Sequence, residues 1–146
     1  MRRQHLEAIL VVDDEDQILA TVGGILELHG YRILKALSAE AAVRVATDCA
    51  EPIHLLLTDI VMPEGSGHDL AQQLSVQRPE MKVLYMTGFT IVERQQQFLD
   101  ASNSKPDAPV ILKPFTSERL TEKVREVLAA KPASPFDRPR DPWRHA

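Results

Sequence analysis

The chain has 146 residues, which suits one domain with room for a sizeable core. Its 17 basic and 21 acidic residues leave a formal charge of −4, a balance that argues against a nucleic-acid-binding surface. Cys49 is the single cysteine, which excludes a disulfide framework or a cysteine-based metal cluster and fits a reducing compartment. Arg2-Arg3 resembles the start of a signal peptide, but the following apolar run, Ile9-Leu10-Val11-Val12, is short and ends in acids. No run approaches the ~18 apolar residues of a membrane span.

In chain order, Ala8–Asp13 reads as a first strand ending in Asp13-Asp14-Glu15-Asp16. Ile18, Leu19, Val22, Ile25, Leu26 and His29 then recur at helical spacing, with His29-Gly30 as a stop signal. Tyr31–Ala36 reads as a second strand, and Ser38 as the cap of a helix carrying Ala42, Val43 and Ala46. Ile53–Asp59 is a solid apolar run closed by a carboxylate, as expected of a strand covered on both faces. A turn with Gly65-Ser66-Gly67 leads to a helix over Asp69 to Gln77, which stops before Pro79. Lys82–Met86 predicts a fourth strand, Ile91 to Leu99 a helix with a thin apolar stripe, and Val110–Leu112 a fifth strand. Thr116 can cap a last helix that buries Leu120, Val124, Val127 and Leu128. Five strands alternating with five helices predict an α/β fold with right-handed crossovers, a doubly wound five-stranded parallel sheet of flavodoxin-like architecture over residues 1–130. Residues 131–146, with Pro132, Pro135, Pro139 and Pro142, read as a disordered tail.

In a parallel sheet the strand tips share one edge, where open α/β folds place ligands. Asp13-Asp14 and Asp59 would meet there with Thr87-Gly88 and with Lys113-Pro114. Three acids can hold a hard divalent cation and still leave one oxygen nucleophile. Each element also has a plain reading: the first acids as a helix cap, Asp59 as a turn, Thr87 as a cap, Lys113 as a solvated charge. The five histidines, at positions 5, 29, 54, 68 and 145, show no metal-ligand spacing.

Asp13-Asp14, Thr58-Asp59-Ile60-Val61-Met62-Pro63, Thr87-Gly88 and Lys113-Pro114-Phe115 together resemble the response-regulator receiver domain of two-component signalling, from about Leu6 to Ala130. The resemblance implies a non-enzymatic phosphoacceptor that takes a phosphoryl group onto Asp59 from a histidine kinase or a histidine phosphotransfer protein. It implies Mg²⁺ on Asp13, Asp14, Asp59 and the backbone carbonyl of Val61, with Asp14 the surer direct ligand. Lys113 would add positive charge; the Thr87 hydroxyl and the backbone N–H groups of Ile60 and Gly88 would receive phosphoryl oxygens. Pro114 resembles the family's cis-proline. The family's switch uses Thr87 and an aromatic at the position of Val110; valine there departs from the pattern and makes Phe89 the candidate replacement. A cytoplasmic protein that switches protein contacts, with no membrane association and no direct DNA binding, is the implied setting. Two alternatives compete with this reading: a haloacid-dehalogenase-like phosphatase using Asp14, and a flavodoxin-type flavin module, for which four acids after the first strand suit a phosphate poorly.

Overall fold

The computed structural model describes residues 6–63, 65–88 and 109–130. The elements run β1 (Ala8–Val12), α1 (Asp16–Leu28), β2 (Arg32–Ala36), α2 (Ala39–Asp48), β3 (Leu55–Asp59), β4 (Val61–Met62), β5 (Gly65–Ser66), α3 (Gly67–Gln77), β6 (Lys82–Gly88), β7 (Val110–Lys113) and α4 (Ser117–Ala129). The helix expected over Ile91 to Leu99 and the tail 131–146 lie outside the described residues.

β2, β1, β3, β6 and β7 form one sheet in that order, and every pairing in it is parallel. The chain steps from β1 to one side for β2 and to the other for β3, which opens a crevice beyond the carboxyl ends of these strands. The alternation along each strand divides the core. Ile9 and Val11 of β1 with Leu55 and Leu57 of β3 face α1 and α4, where Leu19, Val22, Leu26, Leu120 and Val124 cover them. Leu10, Val12 and Leu56 face α2 and α3, meeting Ala42, Ala46, Leu70 and Leu74. β1 is therefore buried at every position, which is why it reads as a continuous apolar run rather than an alternating one. Each of these leucines contributes about 1.5–3 kcal/mol by leaving water.

Ser38, Ser66 and Thr116 cap α2, α3 and α4 by accepting from the backbone N–H groups of Ala41, Asp69 and Arg119. The cap on Ser66 starts α3 at Gly67, two residues before the expected Asp69. Among the described residues no helix is long and apolar enough to cross a membrane.

Candidate functional site

β1 ends at Val12, whose register partner on β3 is Thr58, so Asp13 and Asp59 emerge side by side. Asp13 is fully buried. Its Oδ1 accepts from the Glu15 N–H at 2.9 Å and shapes the entry to α1, while its Oδ2 accepts from Lys113 Nζ at 2.9 Å. One oxygen of this carboxylate thus shapes the turn before α1 and the other faces the site, while Glu15, at the N-cap position of α1, makes no side-chain cap bond. Lys113 Nζ donates at 3.1 Å to Asp59 Oδ2 as well, and the Val61 N–H donates to Asp59 Oδ1 at 3.3 Å. Lys113 gets there from the far end of the sheet, and its bond to Pro114 is cis. Asp14 is exposed at the rim, and one oxygen from each of Asp13, Asp14 and Asp59 falls within a sphere of mutual distances of 4.8 Å. A hard oxygen donor set of this kind fits a divalent cation such as Mg²⁺.

Burial, and then the charge of Asp13, hold the Asp59 carboxyl above the usual carboxylate range, even though Lys113 and the Val61 N–H pull it down. For Lys113, burial disfavours the charge, but the bonds and charges of Asp13 and Asp59 outweigh it and raise the ammonium pKa above 10.5. The lysine therefore stays protonated between two acids.

Thr87 lies one step beyond Met86, the register partner of Asp59. It is buried, and its hydroxyl finds no hydrogen-bond partner among the described residues. A buried hydroxyl left unpaired costs about 1–3 kcal/mol. Gly88 follows, and a side chain built there would meet nothing within 4 Å among the described residues.

Ile60 departs from expectation. Its N–H donates to the Met86 carbonyl at 3.1 Å, continuing the β3–β6 pairing past Asp59, so it is committed to the sheet and turned from the carboxylate. The N–H facing Asp59 is that of Val61. The sequence does not point to the Val61 N–H, because nothing in the residue types shows where the ladder stops. Val110 packs at the edge of the α2–α3 core and pairs with Tyr85 across β6 and β7, so an aromatic stands beside that position on the neighbouring strand. Phe89 lies outside the described residues.

Residues 9–125 match the response regulator receiver domain family. The chain is 31% identical over 125 residues to the response regulator receiver protein CpdR of Brucella abortus (strain 2308), covering 86% of this chain and 99% of that protein. It is 29% identical to the sensor kinase CckA of the same organism and 30% identical to the response regulator protein FleR of Pseudomonas aeruginosa. These matches cover 82% and 90% of this chain but span only 12% of CckA and 27% of FleR. Among solved structures, a CheY-like receiver domain protein from Methanospirillum hungatei JF-1 superposes with a TM-score of 0.69 at 34% identity, covering 85% of this chain and 94% of that one. The receiver domain of the hybrid histidine kinase CckA superposes with a TM-score of 0.68 at 25% identity, covering 83% and 98%. The family match sets aside both the phosphatase using Asp14 and the flavin module. A match of this extent, on a sheet shared with solved receiver domains, shows that the chain belongs to the response regulator receiver domain family, the phosphoacceptor modules of two-component signal transduction.

Proposed function

We propose that Asp59 is the residue that accepts the phosphoryl group, with Lys113 and Thr87 as its partners. The observation that carries this reading is the buried Thr87 hydroxyl, without a partner among the described residues, one register step beyond the Asp59–Met86 pair. A phosphoryl group on Asp59 supplies the acceptor oxygen that this hydroxyl lacks. In the transfer, an Asp59 carboxylate oxygen forms a bond to phosphorus while the bond from phosphorus to the donor breaks, and the leaving group keeps that electron pair. Lys113 holds the Asp59 side chain through Oδ2 and balances the charge that arrives. The Val61 and Gly88 N–H groups are the backbone donors best placed for phosphoryl oxygens, Val61 replacing Ile60 in that role. Mg²⁺ would be held by Asp13, Asp14, Asp59 and the Val61 carbonyl, and when bound it supplies positive charge to the transferring group. Asp13, tied to Lys113, serves more readily through a water than directly.

The donor is a histidine kinase or a histidine phosphotransfer protein. The likeness to the receiver domain of the hybrid histidine kinase CckA supports that class of partner. Output by altered protein contacts in the cytoplasm belongs to the same reading, since phosphorylation adds about −1.5 to −2 charge at the sheet edge. Incubation with acetyl phosphate and Mg²⁺ should add one phosphoryl group, read by intact mass. Asp59→Asn should take up none, and modification of that variant at the wild-type level would refute the assignment.

A further inference from the structure

We propose that Gly67 is a positioning residue for phosphoryl transfer: the absence of a side chain there lets the N-terminus of α3 seat directly on the Asp59 carbonyl and hold the Asp59 carboxylate against Lys113 and Val61. This rests on the reading of Asp59 as the phosphoacceptor.

A Cβ built on Gly67 would lie 2.3 Å from the Asp59 carbonyl oxygen, 3.1 Å from the Asp59 carbonyl carbon and 3.1 Å from Thr58 Cγ2. The nearest of these atoms is backbone at the tip of a central strand, which cannot swing aside as a flexible side chain does. Gly67 lies in the ordinary helical region rather than at positive φ, so what it provides is space, not conformational freedom. The contact is also bonded. The Gly67 N–H donates to the Ile60 carbonyl at 2.7 Å, and the Thr58 hydroxyl donates to the Asp59 carbonyl at 3.0 Å. The short β4–β5 pairing sets Val61 opposite Ser66, the cap of α3. Asp59, Ile60 and Val61 are therefore clasped from behind by Ser66 and Gly67, while the Asp59 carboxylate faces the site. Gly65 differs: among the described residues a Cβ there would meet only Ala39 Cβ, at 3.6 Å, an ordinary contact.

An alanine at 67 must push the Asp59 carbonyl outward by a sizeable fraction of an ångström. Displacements of that order at a reacting group cost up to about a hundredfold in rate. In the full chain, Gly67→Ala should keep a cooperative melt and the wild-type half-saturating acetyl phosphate concentration. Its maximal phosphorylation rate should fall about 10- to 100-fold. Its affinity for Mg²⁺ alone, read by titration without phosphodonor, should fall about tenfold. Gly65→Ala should match wild type in both. Adding Thr58→Ser to Gly67→Ala removes the crowded methyl but not the crowded carbonyl, so the rate should stay low.

Wild-type rate and Mg²⁺ affinity in folded Gly67→Ala overturn the proposal, as does recovery on adding Thr58→Ser. Phosphorylation of Asp59→Asn would instead overturn the underlying reading of Asp59, so the two failures are distinguishable. Should Gly67→Ala not fold, the wild type gives a second measurement. If the seat favours the occupied site, occupation must by reciprocity tighten the seat. Hydrogen exchange at the Gly67 amide should then slow with beryllofluoride and Mg²⁺; unchanged exchange there, with the Asp59 resonances shifted, overturns the proposal.

Discussion

The Asp59 carboxyl titrates above its usual range, first because it is buried and then because Asp13 is beside it, with Lys113 and the Val61 N–H offsetting part of the effect. A carboxyl whose folded pKa exceeds its unfolded value keeps its proton more tightly in the folded state. Stability from this group is therefore greatest at low pH and is lost as pH rises from 3.8 through the raised value. At neutral pH, without a divalent cation, the ionised Asp59 works against folding. Asp59→Asn should accordingly raise the melting temperature of the metal-free protein near neutral pH, and the gain should disappear below the carboxylate range. Thermal melts in chelator across a pH series measure this; an unchanged or lower melting temperature at neutral pH would contradict it. Lys113 has the opposite sign, since its raised pKa marks stability present below 10.5 and lost only as pH rises through the folded value. The meeting of Asp13, Asp59 and Lys113 at one sheet edge is legible from the strand ends; that burial outweighs pairing at Asp59 is not, because burial depends on how the elements pack around the edge.

At the scale of elements, the helices α2 and α3 are joined by a residue that no motif marks. Arg78, just past the end of α3, donates to the carbonyls of Ala46 at 2.8 Å, Cys49 at 2.7 Å and Glu51 at 3.0 Å. Ala46 lies in the last turn of α2, where its carbonyl also takes the long bond from the Cys49 N–H at 3.4 Å, and Cys49 and Glu51 follow the helix; the planar guanidinium fork reaches all three carbonyls at once. Bonds from a charged donor are worth about 1.5–3 kcal/mol each, less the cost of burying the donor. Arg78→Ala should therefore destabilise the domain by about 2–3 kcal/mol, and Arg78→Lys should restore little because an ammonium lacks the fork. Urea unfolding measures both, and a loss below about 0.5 kcal/mol would show that the bonds are replaced by water. The contrast shows what was legible in the sequence. β1 and β3 were readable because both faces are covered, which leaves unbroken apolar runs. α2 and α4 were readable from Ser38 and Thr116 caps followed by helical spacing. The β4–β5 hairpin was not, since strands of two residues carry no period, and neither was the start of α3 at Gly67, because glycine is a poor helix former away from an end. The bond from the Ile60 N–H to Met86 is hidden for the same kind of reason: a parallel ladder that runs one residue past Asp59 leaves no trace in residue type.

For the whole molecule, a net charge of −4 understates the local field, because Asp13, Asp14 and Asp59 gather at one edge where, among the described residues, Lys113 is the one cation paired with them. Asp13 is fully buried and Asp59 is partly buried, so salt screens their repulsion less than it would between exposed charges. A divalent cation binding at that edge stabilises the folded chain by RT ln(1 + [L]/Kd), about 2.7 kcal/mol at a hundred times Kd. For a domain near this size that is a rise in melting temperature of about 5–10 °C. Mg²⁺ should produce such a rise, and monovalent salt at equal ionic strength should not, because screening acts weakly on buried groups. Asp14 separates a bound ion from general screening. It is exposed, makes no described hydrogen bond or ion pair, and its removal disturbs nothing in the core. Asp14→Ala should therefore fold with metal-free stability at least equal to wild type and lose most of the Mg²⁺-induced rise. Lowering the pH should erode the rise in the wild type, because protons compete with the cation for the same oxygens. An undiminished rise in Asp14→Ala would move the cation away from the β1–β3 crevice and leave Asp14 as a surface charge.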